Sequence, residues 1–333
     1  MKYDLLVVLG VLLKGDKVLV SRRRRCDELG GEWELPGGKK EPGETNFDTL
    51  ARELKEEIGI SVTSARPLIS ATRKLEESPL KLYVFEVVNW TGFPEGKEGQ
   101  EIQWISKDDI FDYSFPIFNT FINTAIILPG LACVTPPLIN SVDKYIENLL
   151  RIAKSGVKLI QLRPQISDKN KIEQIALKID KRLRALGVIL MLNGKVSHFN
   201  SSLFQGLHLS RSEASQCSDR PISRKFLLST SCHDVAELDH AMQIGVDFVY
   251  LSPIKRTGSH PDRTPLGWRR LHEMVERSAV PVFALGGLSH LDIVSARHIG
   301  CQGIAVQSSL WHCADPKEYL REILCSLPYL DYN

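Results

Sequence analysis

The chain has 333 residues, with 42 Lys and Arg against 40 Asp and Glu, so its formal net charge is +2. This length predicts about two domains. A hydrophobic fraction of 43% with 25% charged residues is typical of a folded globular chain and excludes a disordered one. The near balance of charge gives no basis for direct nucleic-acid binding or for a membrane surface as partner.

The cysteine pattern and the hydropathy of the chain indicate the cellular compartment of the protein. The seven cysteines are scattered without CxxC pairs, so we expect free thiols in a reducing environment. No apolar run approaches the ~18–20 residues that span a bilayer. The apolar start carries Asp4 where a signal peptide has a basic segment, which favours a buried strand there. We therefore expect a cytoplasmic protein.

The first third of the chain mixes strand and helix signals. Residues 5–13 and 18–20 are apolar and flank the turn signal Lys14–Lys17, which predicts a β-hairpin. A glycine-rich loop follows, then an amphipathic helix at 45–58. Strands are predicted near 80–88 and 102–105, and a helix near Pro116. Because strands and helices do not alternate regularly, this part predicts an α+β domain.

The pattern breaks at Leu128-Pro129-Gly130, which predicts domains 1–129 and 130–333. Beyond the break, apolar segments alternate with helix-length amphipathic ones. Such alternation predicts a parallel sheet, either open or closed as an eight-fold barrel. The predicted strands include residues 158–162, 188–192, 226–229, 248–251, 282–285 and 303–306.

Residues 38–60 read GKKEPGETNFDTLARELKEEIGI. This segment matches every position of the Nudix box, G-x5-E-x7-R-E-U-x-E-E-x-G-U, where U is aliphatic. A chance match has a probability on the order of 10⁻⁸ per start site. The sequence thus resembles the Nudix hydrolases, which implies a mixed sheet sandwiched by helices and metal-dependent cleavage of nucleoside diphosphate-X bonds.

The physical chemistry of the segment supports that resemblance independently. Thr45 and Asp48 have the spacing of a capping box. Glu53, Glu56 and Glu57 stand at i, i+3 and i+4, so they share one helical face. Carboxylates so close repel one another unless a cation lies among them, and hard oxygen ligands suit Mg²⁺ or Mn²⁺. The alternative, a solvated acidic face, is disfavoured by the complete box.

Four flanking motifs resemble the MutT-type 8-oxo-dGTP diphosphatases, which implies a purine nucleoside triphosphate substrate and a role in nucleotide-pool sanitation. They are Ser21-Arg22-Arg23, Leu35-Pro36-Gly37-Gly38-Lys39, Gly96-Lys97-Glu98-Gly99-Gln100 and Phe115-Pro116-Ile117-Phe118-Asn119. The resemblance implies metal ligands at Gly37, Glu53, Glu56, Glu57 and Glu98, and substrate contacts at Arg23, Leu35, Gly38 and Asn119. The catalytic candidates are Glu53, Glu98, Arg52 and Lys39.

Several of these assignments have alternatives. Either Glu53 or Glu98 could serve as the general base. Asn suits a purine edge because its amide both donates and accepts, but Asn119 could instead cap the helix that starts nearby. Glu98 could be an exposed surface acid, and Arg24 and Arg25 could belong to a solvated charge run. We expect Trp33, Phe85 and Trp104 to be core or pocket wall.

An ordered set of segments across residues 131–310 resembles thiamine phosphate synthase, which implies a (β/α)₈ barrel with ligands at the carboxyl ends of the strands. The segments include Gln161-Leu162-Arg163, Gly206–Leu209, Ser231-Cys232-His233, Leu251–Ile254 and Pro281–Leu288. The candidate ligand residues, including a phosphate-ester site, are Gln161, Arg163, Asn193, Ser231, Gly286, Gly287 and Ser308. We expect His208 and His233 to be interior hydrogen-bonding groups.

The departures from that family argue against the synthase reaction. Gly194 stands where its magnesium-binding acid is expected, and Gln165 and His260 stand where lysines are expected. Pyrophosphate departure needs cations to take the developing charge. Three interpretations of the barrel stay open: a degenerate synthase, an active one in a bifunctional thiamine enzyme, or a non-catalytic sensor of a phosphate ligand. Gly286-Gly287 could also simply make a tight turn.

Overall fold

The structure is a computed structural model, and it describes residues 5–22, 31–74, 79–116, 119–139, 141–258 and 264–326. These residues form two compact units that divide between Leu128 and Pro129. Within the described segments, no helix combines the length and the apolar character needed to cross a membrane.

Within its described residues, the first unit contains seven strands and two α-helices. They are β1 (Leu5–Lys14), β2 (Lys17–Arg22), β3 (Trp33–Glu34), β4 (Gly37–Lys39), α1 (Asn46–Ile58), β5 (Ser61–Lys74), β6 (Pro79–Thr91), β7 (Glu101–Ser106) and α2 (Thr120–Ile127). The main path of the sheet is β3-β2-β1-β6-β5, with β4 paired to β1 and β7 paired to β2. The β1–β6 pair is parallel and the others are antiparallel, so the sheet is mixed.

The sheet is covered by a helix on each face. Leu50, Leu54 and Ile58 of α1 pack with Val8 and Leu12 on one face. On the other face, apolar residues of α2 join a second cluster that contains strand residues of β1, β2, β5 and β6. This arrangement confirms the predicted α+β architecture. The β1–β2 hairpin, α1, β6, β7 and α2 lie close to their predicted positions, whereas the long strand β5 was not predicted.

The second unit is a closed barrel of eight parallel strands in the order β10-β11-β12-β13-β14-β15-β8-β9. The strands are β8 (Leu131–Val134), β9 (Leu159–Leu162), β10 (Ile189–Asn193), β11 (Gly206–Leu209), β12 (Leu227–Cys232), β13 (Phe248–Leu251), β14 (Val282–Leu285) and β15 (Gly303–Val306). The helices are α3 (Val142–Lys154), α4 (Lys169–Ala185), α5 (Arg211–Ala214), α6 (Val235–Gln243), α7 (Gly267–Arg277), α8 (Ile293–His298), α9 (Ser308–Trp311) and α10 (Pro316–Ser326). The predicted (β/α)₈ barrel is confirmed.

Alternation along the barrel strands separates two packing environments. One set of residues, such as Leu190, Leu207 and Val249, packs with the helices in a single large cluster. Residues of opposite parity include Phe248, Tyr250 and Phe283, whose rings lie 5.6–5.7 Å from one another. Because successive side chains of a strand point to opposite faces, these rings fill the barrel interior.

Candidate active site

Helix α1 is fixed at both ends and along its buried face. The Thr45 hydroxyl accepts from the Asp48 N–H at 3.1 Å, and the Asp48 carboxylate accepts from the Thr45 N–H at 2.9 Å, which completes the predicted capping box. Gly59 ends the helix in the left-handed region, at φ 74°. A Cβ on Gly10 would lie 2.9 Å from Leu54 Cδ2, so the helix approaches β1 closely. The glutamates of α1 therefore stand on a rigid support.

Arg52 is the centre of a hydrogen-bond network at the exposed side of this helix. Its Nε donates to Glu44 at 2.7 Å. Its Nη1 donates to Glu53 at 2.9 Å and to Glu56 at 3.2 Å, and its Nη2 donates to the Lys39 carbonyl oxygen at 3.0 Å. The hydrogen bond from Arg52 holds the pKa of Glu44 down at about 2. The guanidinium thus orients three glutamates of the box and ties α1 to the end of β4.

The Glu57 carboxylate is partly buried and contacts the backbone before the helix. Its Oε2 accepts from the Gly37 N–H at 2.9 Å. Burial raises the pKa of Glu57 to about 8, and the negative charges of Glu34, Glu53 and Glu98 add to the rise. Burial likewise raises the pKa of Glu53. Carboxyl groups held so close in a partly buried site ionise more easily when a cation shares it.

The loop before β7 carries Glu98 to the end of α1. The carbonyl oxygen of Glu57 accepts from the Lys97 N–H and from the Gln100 side-chain amide, each at 2.8 Å. The Gln100 side-chain oxygen accepts from the Glu98 N–H at 2.9 Å. Gln100 therefore bridges the helix end and the loop, which brings an acid distant in sequence into the electrostatic environment of Glu57.

Two glycines before α1 allow other groups of the chain to approach closely. Gly37 has φ 140°, and a Cβ there would lie 2.2 Å from the Val8 carbonyl oxygen. A Cβ on Gly38 would lie 2.4 Å from the carboxyl carbon of Glu53. At Gly37 no larger residue fits. At Gly38 the backbone of β4 lies directly against the end of the Glu53 side chain, which a larger residue would displace.

The donor set fits a hard divalent cation. Glu53, Glu56, Glu57 and Glu98 offer carboxylate oxygens, and the carbonyl of Gly37 offers a further oxygen, which is the chemistry that Mg²⁺ and Mn²⁺ prefer. Among the described residues, no three His, Cys, Asp or Glu side chains are already arranged to enclose an ion. Instead, Glu53 and Glu56 turn toward Arg52. Ion binding would therefore require these side chains to reorient, while the supporting backbone is in place.

The other candidate residues of the first unit have different surroundings. Leu35 is buried beside Trp33 in the cluster that includes α2. Asn119 is 2% exposed and makes no side-chain hydrogen bond at the start of α2, so the capping alternative is wrong. Trp33 and Phe85 are buried core residues, as expected. Arg23, Arg24 and Arg25 lie outside the described residues.

Glu34 was not among the predicted site residues, yet its charge contributes to the raised pKa of Glu57. The alternation of side chains along β3 could have indicated this position. Trp33 belongs to the cluster on the α2 face, so the next residue along the strand points to the face that carries α1. Glu34 is therefore a further acid on the side of the sheet where the box glutamates lie.

Two candidate ligand residues of the barrel carry polar groups that lack partners among the described residues. Gln161 is 2% exposed, and its Oε1 accepts no hydrogen bond. Arg163 follows β9, and burial lowers the pKa of its guanidinium. No hydrogen bond or ion pair from that guanidinium to a described side chain is found, although its backbone N–H donates to Thr135 Oγ1 at 2.8 Å. Half-buried cations without a counter-charge are typical of anion-binding sites.

Of the two histidines expected to form hydrogen bonds in the barrel interior, His208 is buried and His233 is only partly buried. His208 lies between Ser229 Oγ at 2.9 Å and Ser231 Oγ at 3.1 Å. Burial lowers the pKa of His208 to about 3, with a further contribution from Arg163, so its ring is neutral at ordinary pH. The hydroxyl of Ser231 is therefore held by a neutral imidazole. His233 Nδ1 donates to the Ser252 carbonyl oxygen.

Gly286 and Gly287 make a tight turn with positive φ values of 102° and 70°. A Cβ on Gly286 would lie 2.7 Å from Pro253 Cα, and one on Gly287 would lie 2.7 Å from the Arg256 carbonyl oxygen. Close packing against the preceding loop is thus sufficient to require both glycines. Ser308 begins the four-residue helix α9, and Asn193 ends β10.

These features define the class: a hydrolase unit built on a mixed sheet and an acidic helix, joined to an eight-stranded parallel barrel. The chain belongs to the Nudix family through residues 5–121, which match the NUDIX domain model, and to the thiamine monophosphate synthase family through residues 131–310.

Individual relatives match one unit each. The 8-oxo-dGTP diphosphatase of Buchnera aphidicola is 34% identical over 122 residues, which are 37% of this chain and 92% of the relative. A putative thiamine-phosphate synthase of Aquifex aeolicus is 28% identical over 163 residues, 49% of this chain and 88% of the relative. A solved structure from a study of MutT of Aliivibrio salmonicida and Vibrio cholerae is 31% identical, with a TM-score of 0.33, and covers 37% of this chain and 96% of that one.

Proposed function

We propose that the first unit hydrolyses a purine nucleoside triphosphate, with 8-oxo-dGTP as substrate and 8-oxo-dGMP and pyrophosphate as products. The observation that carries this proposal is the placement of Glu53 and Glu57 against the backbone of Gly37 and Gly38, with Arg52 and Gln100 holding them. The relative from Buchnera, whose own name states this activity, supports the choice of substrate.

We propose Mg²⁺ or Mn²⁺ as the cofactor, held by the oxygens of Gly37, Glu53, Glu56, Glu57 and Glu98. When bound, it supplies neutralisation of the phosphate charge and lowers the pKa of a bound water. Arg52 keeps Glu53 and Glu56 directed to the same side of α1. Glu53 or Glu98 accepts the proton from the attacking water.

We propose the substrate contacts that the family resemblance implies. Lys39 ends β4, and its own carbonyl oxygen accepts from Arg52. The Lys39 ammonium stabilises the negative charge of the departing pyrophosphate. The loop backbone at Gly38 can approach a phosphate because no side chain intervenes. Leu35 forms a wall of the base pocket and Asn119 reads the purine edge. Arg23 is a further proposed substrate contact, predicted from the sequence alone.

In the cell, this activity would remove an oxidised nucleotide before it enters DNA, which makes the protein an enzyme of mutation avoidance in the cytoplasm. It needs no direct contact with nucleic acid, since the substrate is a free nucleotide.

A panel assay tests the proposal. Turnover of 8-oxo-dGTP, dGTP and thiamine pyrophosphate is measured with Mg²⁺, and pyrophosphate release identifies the bond that is cleaved. We expect the highest kcat/KM for 8-oxo-dGTP. A preference for thiamine pyrophosphate would contradict the proposal and favour an enzyme of thiamine metabolism in both units.

We propose a second function for the barrel, binding of a phosphate ester without thiamine phosphate synthesis. The cation of Arg163 favours an anionic ligand at the end of β9, and the unpartnered oxygen of Gln161 would accept from a donor group of the same ligand. Gly194 and Gln165 remove groups that the synthase reaction requires. Asn193, Ser231, Gly286, Gly287 and Ser308 are the remaining candidate contacts.

Calorimetry with thiamine phosphate and with inorganic pyrophosphate tests this second function, and Arg163→Gln should weaken binding at least tenfold. Following 8-oxo-dGTP turnover during the same titration separates a sensor from a passive barrel. Formation of thiamine phosphate from its two precursors would show that the synthase reaction is intact and would overturn this proposal.

A further inference from the structure

A cavity of about 210 Å³ opens at the carboxyl ends of β11, β12 and β13 in the second unit. The described residues that line it come from separate loops of the barrel, and they are Arg211, His233, Ser252, Pro253, Thr264 and Leu266. None of them belongs to the phosphate-ester site proposed at the end of β9. The volume is below the range of about 300–1,000 Å³ that is typical of pockets for drug-sized ligands, so the cavity fits a small ligand.

Arg211, the first residue of α5, brings a positive charge to the wall of this cavity. Its Nε forms an ion pair with a carboxylate oxygen of Glu237 at 2.6 Å. The other carboxylate oxygen of Glu237 accepts from the His233 N–H at 2.9 Å, which fixes the acid in place. The Arg211 side chain is 60% exposed and that of Glu237 only 17%, so the acid lies on the protein side of the pair. Glu237 therefore orients the guanidinium from behind.

The two terminal nitrogens of Arg211 are available to a ligand. Across the ranges that the structure describes, neither Nη1 nor Nη2 donates a hydrogen bond to a protein atom. The guanidinium is a planar fork whose paired N–H groups match two oxygens of an anion. Because it carries five N–H donors, one arginine can bind Glu237 through Nε and a second anion through Nη1 and Nη2.

Hydroxyl groups and apolar side chains complete the lining. Ser252 is 8% exposed, and its hydroxyl lies 3.4 Å from His233 Nδ1, so this residue belongs to the wall of the cavity. Thr264 adds a second hydroxyl from the segment before α7. A tetrahedral phosphate presents oxygens in several directions and can accept from side chains of separate loops, whereas a carboxylate presents only two oxygens in one plane. Pro253 and Leu266 suit the carbon atoms of a small ligand.

We propose that this cavity binds the phosphate group of a small ligand, with Nη1 and Nη2 of Arg211 donating to two of its oxygens. Glu237 is a positioning residue, which holds Nε and leaves the fork to the ligand. The inference goes beyond the phosphate-ester site at the end of β9 and does not depend on it, because Arg163 and the other residues proposed there do not line this cavity.

Calorimetric titration of the full chain with inorganic phosphate tests the inference. A chelator removes divalent ions, so that the acidic helix of the first unit repels the anion. The variants are Arg211→Gln, Arg163→Gln and the matched control Arg269→Gln. Like Arg211, Arg269 is an exposed arginine of the second unit that pairs with a glutamate, Glu273 at 3.3 Å, but it does not line the cavity. Circular dichroism checks that each variant is folded.

We expect Arg211→Gln to weaken phosphate binding at least tenfold, the factor that one hydrogen bond to a charged group provides. Arg269→Gln should bind phosphate as the wild type does, and acetate should bind the wild type more weakly than phosphate. Weakening by Arg211→Gln, with no effect of Arg163→Gln, would support this cavity and contradict the site proposed at the end of β9.

Other results would overturn the inference. If the wild type binds no phosphate, or if Arg211→Gln binds it with unchanged affinity, the cavity is not a phosphate site. An equal loss in Arg269→Gln would show that the anion responds only to surface charge. If Arg163→Gln and Arg211→Gln each abolish the same binding event, the barrel has one shared site and the separate cavity is refuted.

Discussion

Substitution of Gly38 by alanine separates catalytic geometry from stability. The added methyl group would lie 2.4 Å from the Glu53 carboxyl carbon, whereas ordinary contact begins at 3.4 Å. The carboxylate must therefore move by about 1 Å. This movement costs the fold little, because the end of a flexible side chain yields easily and Gly38 does not have a positive φ.

The effect on activity should be large. A displacement of about 1 Å in a catalytic group typically costs on the order of 10²-fold in rate. We expect Gly38→Ala to lower kcat for 8-oxo-dGTP by about that factor, with an unfolding temperature within a few degrees of wild type. Steady-state kinetics and thermal unfolding provide the two measurements.

Gly43→Ala is the matched control. Gly43 has φ 90° but no atom within 4 Å of an added Cβ, so alanine there strains the backbone without touching Glu53. It should lower the unfolding temperature more than Gly38→Ala does and leave kcat nearly unchanged. Activity of Gly38→Ala within about threefold of wild type would show that the Glu53 carboxylate does not lie against Gly38 in the active enzyme, since a 1 Å displacement should cost far more.

Three further predictions concern charge and specificity. The pKa of Glu57 is raised to about 8 in the fold, so the folded state binds the proton more tightly than the unfolded chain does. The metal-free protein should therefore lose stability as pH rises from about 5 to 8. Unfolding temperatures measured across this range in the presence of a chelator should depend less on pH for Glu57→Gln than for the wild type. Arg52→Lys keeps the positive charge but loses the planar guanidinium, whose N–H groups donate to Glu44, Glu53 and the Lys39 carbonyl oxygen. We therefore expect kcat to fall at least tenfold, while circular dichroism shows an intact fold. Asn119→Ala should raise KM for 8-oxo-dGTP more than for dGTP; equal increases would contradict base reading.

Local sequence patterns were sufficient for part of this molecule. The capping box of Thr45 and Asp48 and the spacing of Glu53, Glu56 and Glu57 depend on residues within one helix, so the bounds and acidic face of α1 could be predicted. Strand β5 could not be predicted in the same way. Its pairing with β6 shifts register at three points, and these shifts obscure the alternation of polar and apolar residues along the strand. The barrel strands were predicted where apolar runs were long.

Periodicity and motif spacing were sufficient to indicate the two families, the architecture of each unit and the identity of the acidic helix. The contacts between distant groups appear only in the folded chain: Gln100 meets the end of α1, Glu34 lies on the face that carries Glu57, and His208 lies between two serines of the next strand. Such contacts join residues far apart in the chain, and burial then sets their charges. Neither the pairing nor the burial is encoded in the local pattern, since both arise only when sheet and barrel close.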